Sequence, residues 1–130
     1  MKILIVEDDL TSRLFMKKYL GQYGPCDEAL NGIEAVDLVT IALEENEPYD
    51  FICLDIMMPK LDGIRTLGMI REAEDELLPE DKRPAKVVIT SALHDKDTVE
   101  EAYGSGCDAY AWKPIDVEQF TEMMQKLELI

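Results

Sequence analysis

Short, almost uniformly apolar runs alternate along this chain with longer segments whose apolar residues recur at helical spacing. Ile3-Leu4-Ile5-Val6, Phe51-Ile52-Cys53-Leu54 and Val87-Val88-Ile89 are a strand's length. They lack the apolar-polar alternation of a half-solvated sheet, which is the pattern of parallel strands covered on both faces. A weaker strand is expected near Cys26 to Leu30 and a fifth near Cys107 to Trp112. Between them lie helix-period segments. Leu10 to Leu20 carries Leu10, Leu14, Phe15 and Tyr19, with Gly21 and Gly24 marking its end. Asn31-Gly32 turns into a helix whose Ala35, Val36, Val39, Ala42 and Leu43 form an inward stripe, ending before Pro48. A third helix is predicted from Gly63 to about Ala73 through Ile64, Leu67 and Ile70, and a short fourth near Asp95 to Tyr103. In the last, Asp116 is a cap with Gln119 three residues on, ahead of a stripe of Val117, Phe120, Met124 and Leu127.

Five strand-helix units joined by right-handed crossovers make an α/β, doubly wound parallel sheet with helices on both faces. Periodicity alone does not choose between the two common strand orders. The 130 residues suit one domain, 1–130, with no internal repeat. The one long connection is expected at Glu72 to Arg83, mostly charged, as a solvated insert with partner docking as the alternative.

Composition narrows the function. Apolar residues are 47% and charged residues 32% of the chain, and no stretch approaches the roughly 20 apolar residues that span a bilayer. The first apolar run leads directly into acids rather than into a cleavage site, so a cytoplasmic location is expected. A net charge of -15 argues against direct binding of nucleic acid or anionic membrane, both of which need clustered Lys and Arg. Cys26, Cys53 and Cys107 lack metal-ligand spacing and are expected to be reduced, buried thiols.

The candidate chemistry lies just past the strand ends: Glu7-Asp8-Asp9 after the first, Asp55 after the third and Lys113-Pro114 after the fifth. Parallel strands bring their carboxyl ends to one edge, where open sheets of this kind bind ligands. Carboxylates gathered there repel one another unless a cation intervenes, and hard oxygen donors favour Mg2+ or Ca2+ over zinc. Asp9 is expected to serve as a helix N-terminal charge or cap, and Asp62-Gly63 as a turn.

Ile3-Leu4-Ile5-Val6-Glu7-Asp8-Asp9, Leu54-Asp55-Ile56-Met57-Met58-Pro59 with Asp62-Gly63, Thr90-Ser91-Ala92 and Lys113-Pro114 occur in order, each at a predicted strand end. Together they resemble the signature set of response regulator receiver domains in two-component systems, along the whole chain. The resemblance implies a flavodoxin-like (βα)5 fold with strand order 2-1-3-4-5, an order for which a receiver is itself a standard example. It implies Asp55 as phosphoacceptor from a sensor histidine kinase or phosphotransfer protein. Mg2+ would be held by Asp8, Asp55 and the backbone carbonyl of Met57, with Glu7 acting through water. Lys113 and Thr90 would bind phosphoryl oxygens, and the Lys113–Pro114 bond would be cis. Thr90 and Tyr110 would form a switch that alters the surface of the fourth helix, fifth strand and fifth helix.

Met57 and Ala92, two residues after Asp55 and Thr90, are apolar. Neither orients an attacking water, so no self-hydrolysis assisted by these side chains is expected. His94, the one histidine, is read as a surface residue, and Trp112 as packing or partner contact. These features imply a stand-alone regulator, a phosphoprotein rather than an enzyme, monomeric or weakly dimeric, signalling through an unidentified protein effector. Two alternatives differ in class. A phosphorylation-independent receiver-fold module would keep the fold without the chemistry. A Mg-dependent phosphohydrolase of the haloacid-dehalogenase type would want a second aspartate at the position Met57 occupies.

Overall fold

The computed structural model describes residues 1–57, 62–93 and 95–130. Five strands, β1 (Ile3–Val6), β2 (Cys26–Ala29), β3 (Phe51–Asp55), β4 (Lys86–Ser91) and β5 (Ala109–Trp112), form one parallel sheet in the order 2-1-3-4-5. The helices are α1 (Leu10–Leu20), α2 (Gly32–Glu44), α3 (Gly63–Leu77), α4 (Lys96–Gly104) and α5 (Val117–Lys126). This is the expected flavodoxin-like single domain, and the strand order that periodicity left open is the one the resemblance implied.

Strand alternation sorts the core into two layers. Leu4, Val6, Ile52, Leu54, Val87 and Ile89 pack with Ala35, Val39 and Leu43 of α2, Leu67 and Ile70 of α3, and Ala102 of α4. Ile3, Ile5, Phe51, Cys53 and Val88 pack with Met16, Tyr19 and Leu20 of α1 and Phe120 and Met124 of α5. The central β1 and β3 are buried at every residue, which is why their sequences show no polar alternation.

Every helix opens on an Asp or Asn cap: Asp9, Asn31, Asp62, Asp95 and Asp116 each accept a bond from a backbone N–H three residues on. Asp62 is therefore more than a turn former. Its cap, together with Gly63, seats α3 against the end of β3. A Cβ on Gly63 would lie 2.5 Å from both the Asp55 carbonyl oxygen and the Ile56 Cα.

Further expectations are corrected, among them the α5 stripe, where Phe120 and Met124 are buried but Val117, in the first turn, is exposed. The buried face of α1 is Met16, Tyr19 and Leu20, whereas Leu10, Leu14 and Phe15 are exposed. The helix carries two apolar stripes, and packing against Ile3, Ile5 and Phe120 selects one of them. The acidic run after Ala73 continues α3 to Leu77, so the connection to β4 is short. It is not simply solvated, because Glu74 is 6% exposed, ion-paired to Arg71 at 2.7 Å and bonded to the Ala85 N–H at 2.7 Å. The start of β5 shifts to Ala109, since Asp108 instead turns its carboxylate to the Val87 N–H at 2.8 Å. All three cysteines are free thiols, Cys53 and Cys107 buried as expected but Cys26, at the start of the edge strand β2, only half-buried. No described helix is long and apolar enough to cross a membrane.

Candidate functional site

The carboxyl edge of the sheet carries the acids. Glu7 directly follows β1 and is 4% exposed, and Asp55 ends β3 at 5% exposed. Asp8, between Glu7 and the cap residue Asp9, is exposed. One carboxylate oxygen from each of Glu7, Asp8 and Asp55 lies within 4.8 Å of the others. That set of hard oxygen donors fits a Mg2+ ion. Asp9 caps α1, accepting from the Ser12 N–H at 2.9 Å, as expected. That bond, with the one to the Ser12 side chain, draws its pKa down.

Lys113 emerges from β5, tied by its own N–H to the Ser91 carbonyl at 2.8 Å. Its Nζ reaches Glu7 Oε1 at 2.5 Å and Asp55 Oδ2 at 3.4 Å. The adjacent Lys113–Pro114 bond is cis. Burial pushes the Glu7 carboxyl up, and the Asp55 carboxylate beside it pushes the same way, against the opposite pull of Lys113. For Lys113, burial works against the charge, but the hydrogen bond to Glu7 and the two carboxylates outweigh it and hold the ammonium above its ordinary range. The lysine thus remains a fixed cation beside two buried acids.

Thr90, 4% exposed, sits opposite Asp55 in the β3–β4 register. The Ile56 N–H bonds the Thr90 carbonyl at 3.1 Å, and the Met57 N–H bonds Asp55 Oδ1 at 3.3 Å. The Met57 side chain is 61% exposed and Ala92 is exposed, so both flank the acids without a polar group. Thr90, Ala92, Glu7 and Lys113 border a cavity of about 560 Å³ whose far wall is Phe15, Met16 and Ile115. Tyr110 packs with the α2–α4 layer instead, and its hydroxyl donates to the Leu93 carbonyl at 3.0 Å. Trp112 is 53% exposed. Met58, Pro59 and His94 lie outside the described residues.

Sequence reasoning missed one residue here. Arg13, on the first turns of α1, donates from one guanidinium nitrogen to the carbonyls of Glu7 at 3.1 Å and Asp8 at 3.4 Å. Nothing in the local pattern distinguishes it from any other basic residue on an amphipathic helix.

Five parallel strands in this order, with buried acids and a lysine meeting at their carboxyl edge, define a receiver-type signalling domain. The family model for the response regulator receiver domain matches residues 3–125, and the chain belongs to that family, the receivers of two-component phosphorelay signalling. It is 33% identical over 129 residues to the hybrid signal transduction histidine kinase G of Dictyostelium discoideum, covering 97% of this chain and 4% of that protein. To the chemotaxis protein CheY of Treponema pallidum it is 32% identical over 127 residues, 93% of this chain and 78% of that one. Among solved structures it is similar to the receiver domain of the histidine kinase CKI1 from Arabidopsis thaliana complexed with Mg2+ and BeF3−. That match has 25% identity and a TM-score of 0.82 over 98% of this chain and 89% of the other. The chain thus spans only a small part of the kinase relative.

Proposed function

We propose that this chain, as one receiver domain over 1–130, is a response regulator that accepts a phosphoryl group on Asp55 from a sensor histidine kinase or phosphotransfer protein. The observation that carries this reading is the buried Asp55 carboxylate with Lys113 Nζ 3.4 Å away and the carboxylates of Glu7 and Asp8 gathered beside it. An Asp55 oxygen attacks the donor's phosphorus in line. The new O–P bond replaces the P–N bond of the phosphohistidine, and the departing imidazole nitrogen takes up a proton. Lys113 stands where it neutralises a phosphoryl oxygen, and the Thr90 hydroxyl offers a hydrogen bond to another. Asp8, Asp55 and the Met57 carbonyl are the residues for Mg2+, which when bound offsets the negative charge that Asp55 and the phosphoryl group share. Glu7 acts through water, in keeping with its own oxygens already engaging Lys113 and the Asp9 N–H. The Mg2+ and BeF3− complexed with the CKI1 receiver domain fit this reading.

Signal output follows from the same positions. Phosphorylation draws Thr90 toward Asp55 and so pulls on the β4–α4 turn, whose Leu93 carbonyl holds the Tyr110 hydroxyl. Releasing that bond frees Tyr110 to turn inward and reshapes the α4–β5–α5 face read by a protein effector. With apolar Met57 and Ala92, neither flanking side chain activates water against the acyl phosphate.

The test is intact mass after incubation with acetyl phosphate, with and without Mg2+. A gain of one phosphoryl group that requires Mg2+ and is absent in Asp55→Asn supports the reading. A folded protein that gains nothing from acetyl phosphate or from a phosphorylated histidine donor would favour a phosphorylation-independent receiver-fold module.

A further inference from the structure

We propose that Arg13 is a positioning residue for the acid loop: by holding the Glu7 and Asp8 carbonyls it sets where the Asp8 carboxylate stands, and so sets the affinity for Mg2+. This rests on the reading of Glu7, Asp8 and Asp55 as the metal site.

Among the described residues, Glu7 and Asp55 are fixed through their own carboxylates by Lys113, and Asp9 by its cap on α1. No described residue bonds the Asp8 side chain. Its direction is therefore inherited from the backbone of the turn between β1 and α1. The Glu7 and Asp8 carbonyls of that turn are both held by the same Arg13 side-chain nitrogen, while the Asp9 carbonyl takes the Arg13 backbone N–H at 2.9 Å.

Arg13 is itself held from the other side. Its Nε lies 3.5 Å from Glu28 Oε1 on β2, and Lys17 Nζ reaches Glu28 Oε2 at 3.1 Å. Glu28 sits beside Ile5 in the β1–β2 register, two residues before Glu7. The Arg13 side chain, 15% exposed, thus ties the acid turn to the edge strand on one side and to α1 on the other. Its planar fork serves carbonyl and carboxylate at once, which an ammonium does less well. Partners that orient metal ligands without touching the metal commonly carry about 10- to 100-fold in affinity.

The sign of the effect separates positioning from charge. Arg13 is a permanent cation near an anionic site, so as a charge alone it repels Mg2+, and its removal would tighten binding. As a positioning residue its removal weakens binding. The experiment is Mg2+ titration, by calorimetry and Trp112 fluorescence, of the unsubstituted chain, Asp8→Asn, Arg13→Met, Arg13→Lys and Glu28→Gln, with thermal midpoints measured alongside. We expect Arg13→Met to weaken binding about tenfold. Arg13→Lys should recover part of that loss, and Glu28→Gln should lose less than Arg13→Met. Equal or tighter Mg2+ binding by folded Arg13→Met, while Asp8→Asn loses it, overturns this inference and leaves the function intact. A lower thermal midpoint with unchanged affinity overturns it too, by making Arg13 merely structural. An unsubstituted chain that binds no Mg2+ removes both.

Discussion

At the amino edge of the sheet, Arg71 of α3 is bonded through all of its nitrogens. It donates to the Gly106 carbonyl from two of them, at 3.0 and 2.8 Å, to the Ala85 carbonyl at 2.8 Å, to Glu74 at 2.7 Å and to Asp108 at 3.1 Å. Both acids are in turn bonded to backbone N–H groups at the start of β4. At the carboxyl edge three carboxylates gather, two of them share one lysine, and the third, Asp8, has no described partner. The first arrangement gives every group a partner, the two carboxylates taking backbone N–H donors as well as Arg71, and closes the gap between α3, β4 and the turn before β5. The second leaves negative charge in excess at a cavity open to solvent, which is a ground state prepared for a cation. A charge network is structural when every group in it has a partner and a candidate site when a charged group is left without one.

Breaking the fully partnered end should have the largest effect on stability. Arg71→Ala strands the buried Glu74 carboxylate, and a loss of about 3 kcal/mol is expected in denaturant unfolding. Asp55 phosphorylation by the remaining folded protein should be unchanged. Adding Glu74→Gln should restore part of the loss, and a double variant no better than the single one would show that the two do not act as a pair.

Alkaline pH probes the core between the two ends. Burial raises the Cys53 thiol pKa to about 12 and that of Cys107 to about 11, from an ordinary 9. Below pH 9 both states hold these protons and the thiols cost nothing. Above it the unfolded chain ionises first, so stability falls by roughly 1 kcal/mol per pH unit for each thiol until the folded pKa is reached. Stability measured from pH 8 to 10 should show this slope, and the pair Cys53→Ala and Cys107→Ala should flatten it. An unaltered slope in that pair would assign it elsewhere.

At the end where Asp8 lacks a described partner the expected losses are of function. Asp8→Asn should weaken Mg2+ at least about tenfold, or about 1.4 kcal/mol, by calorimetry. The smallest effect is a gain: without Mg2+, Asp55→Asn removes one of the mutually repelling carboxylates and should raise stability by up to about 1 kcal/mol. Destabilisation instead would mean that the Lys113 ion pair outweighs the repulsion.

This contrast also marks what was readable in the sequence. Glu7, Asp8, Asp55 and Lys113 stood out because each lies at or just past the end of an apolar run, and parallel strands must bring such ends together; Thr90 came with the motif resemblance. Five elements of each kind, with the caps Asp9 and Asp116, followed from local periodicity and short-range bonding, whereas Asp62 was read only as a turn and caps α3. What stayed hidden depends on contacts between distant segments. Arg71 meets Ala85, Gly106 and Asp108 only after α3, β4 and β5 are in place, so residues 74–77 read as solvated charge rather than as helix. The packed face of α1 was misjudged for the same reason, because two apolar stripes were available and the sheet chose between them. Arg13 carries no local mark at all.

The most direct measurement is to locate the modification. After phosphorylation with acetyl phosphate and Mg2+, borohydride reduces an acyl phosphate to the alcohol, converting a phosphorylated aspartate to homoserine, which peptide mass spectrometry can place. Reduction confined to position 55 is the predicted result. Reduction at Asp8, Asp9 or another carboxylate, with position 55 untouched, would contradict the assignment of Asp55 as the phosphoacceptor.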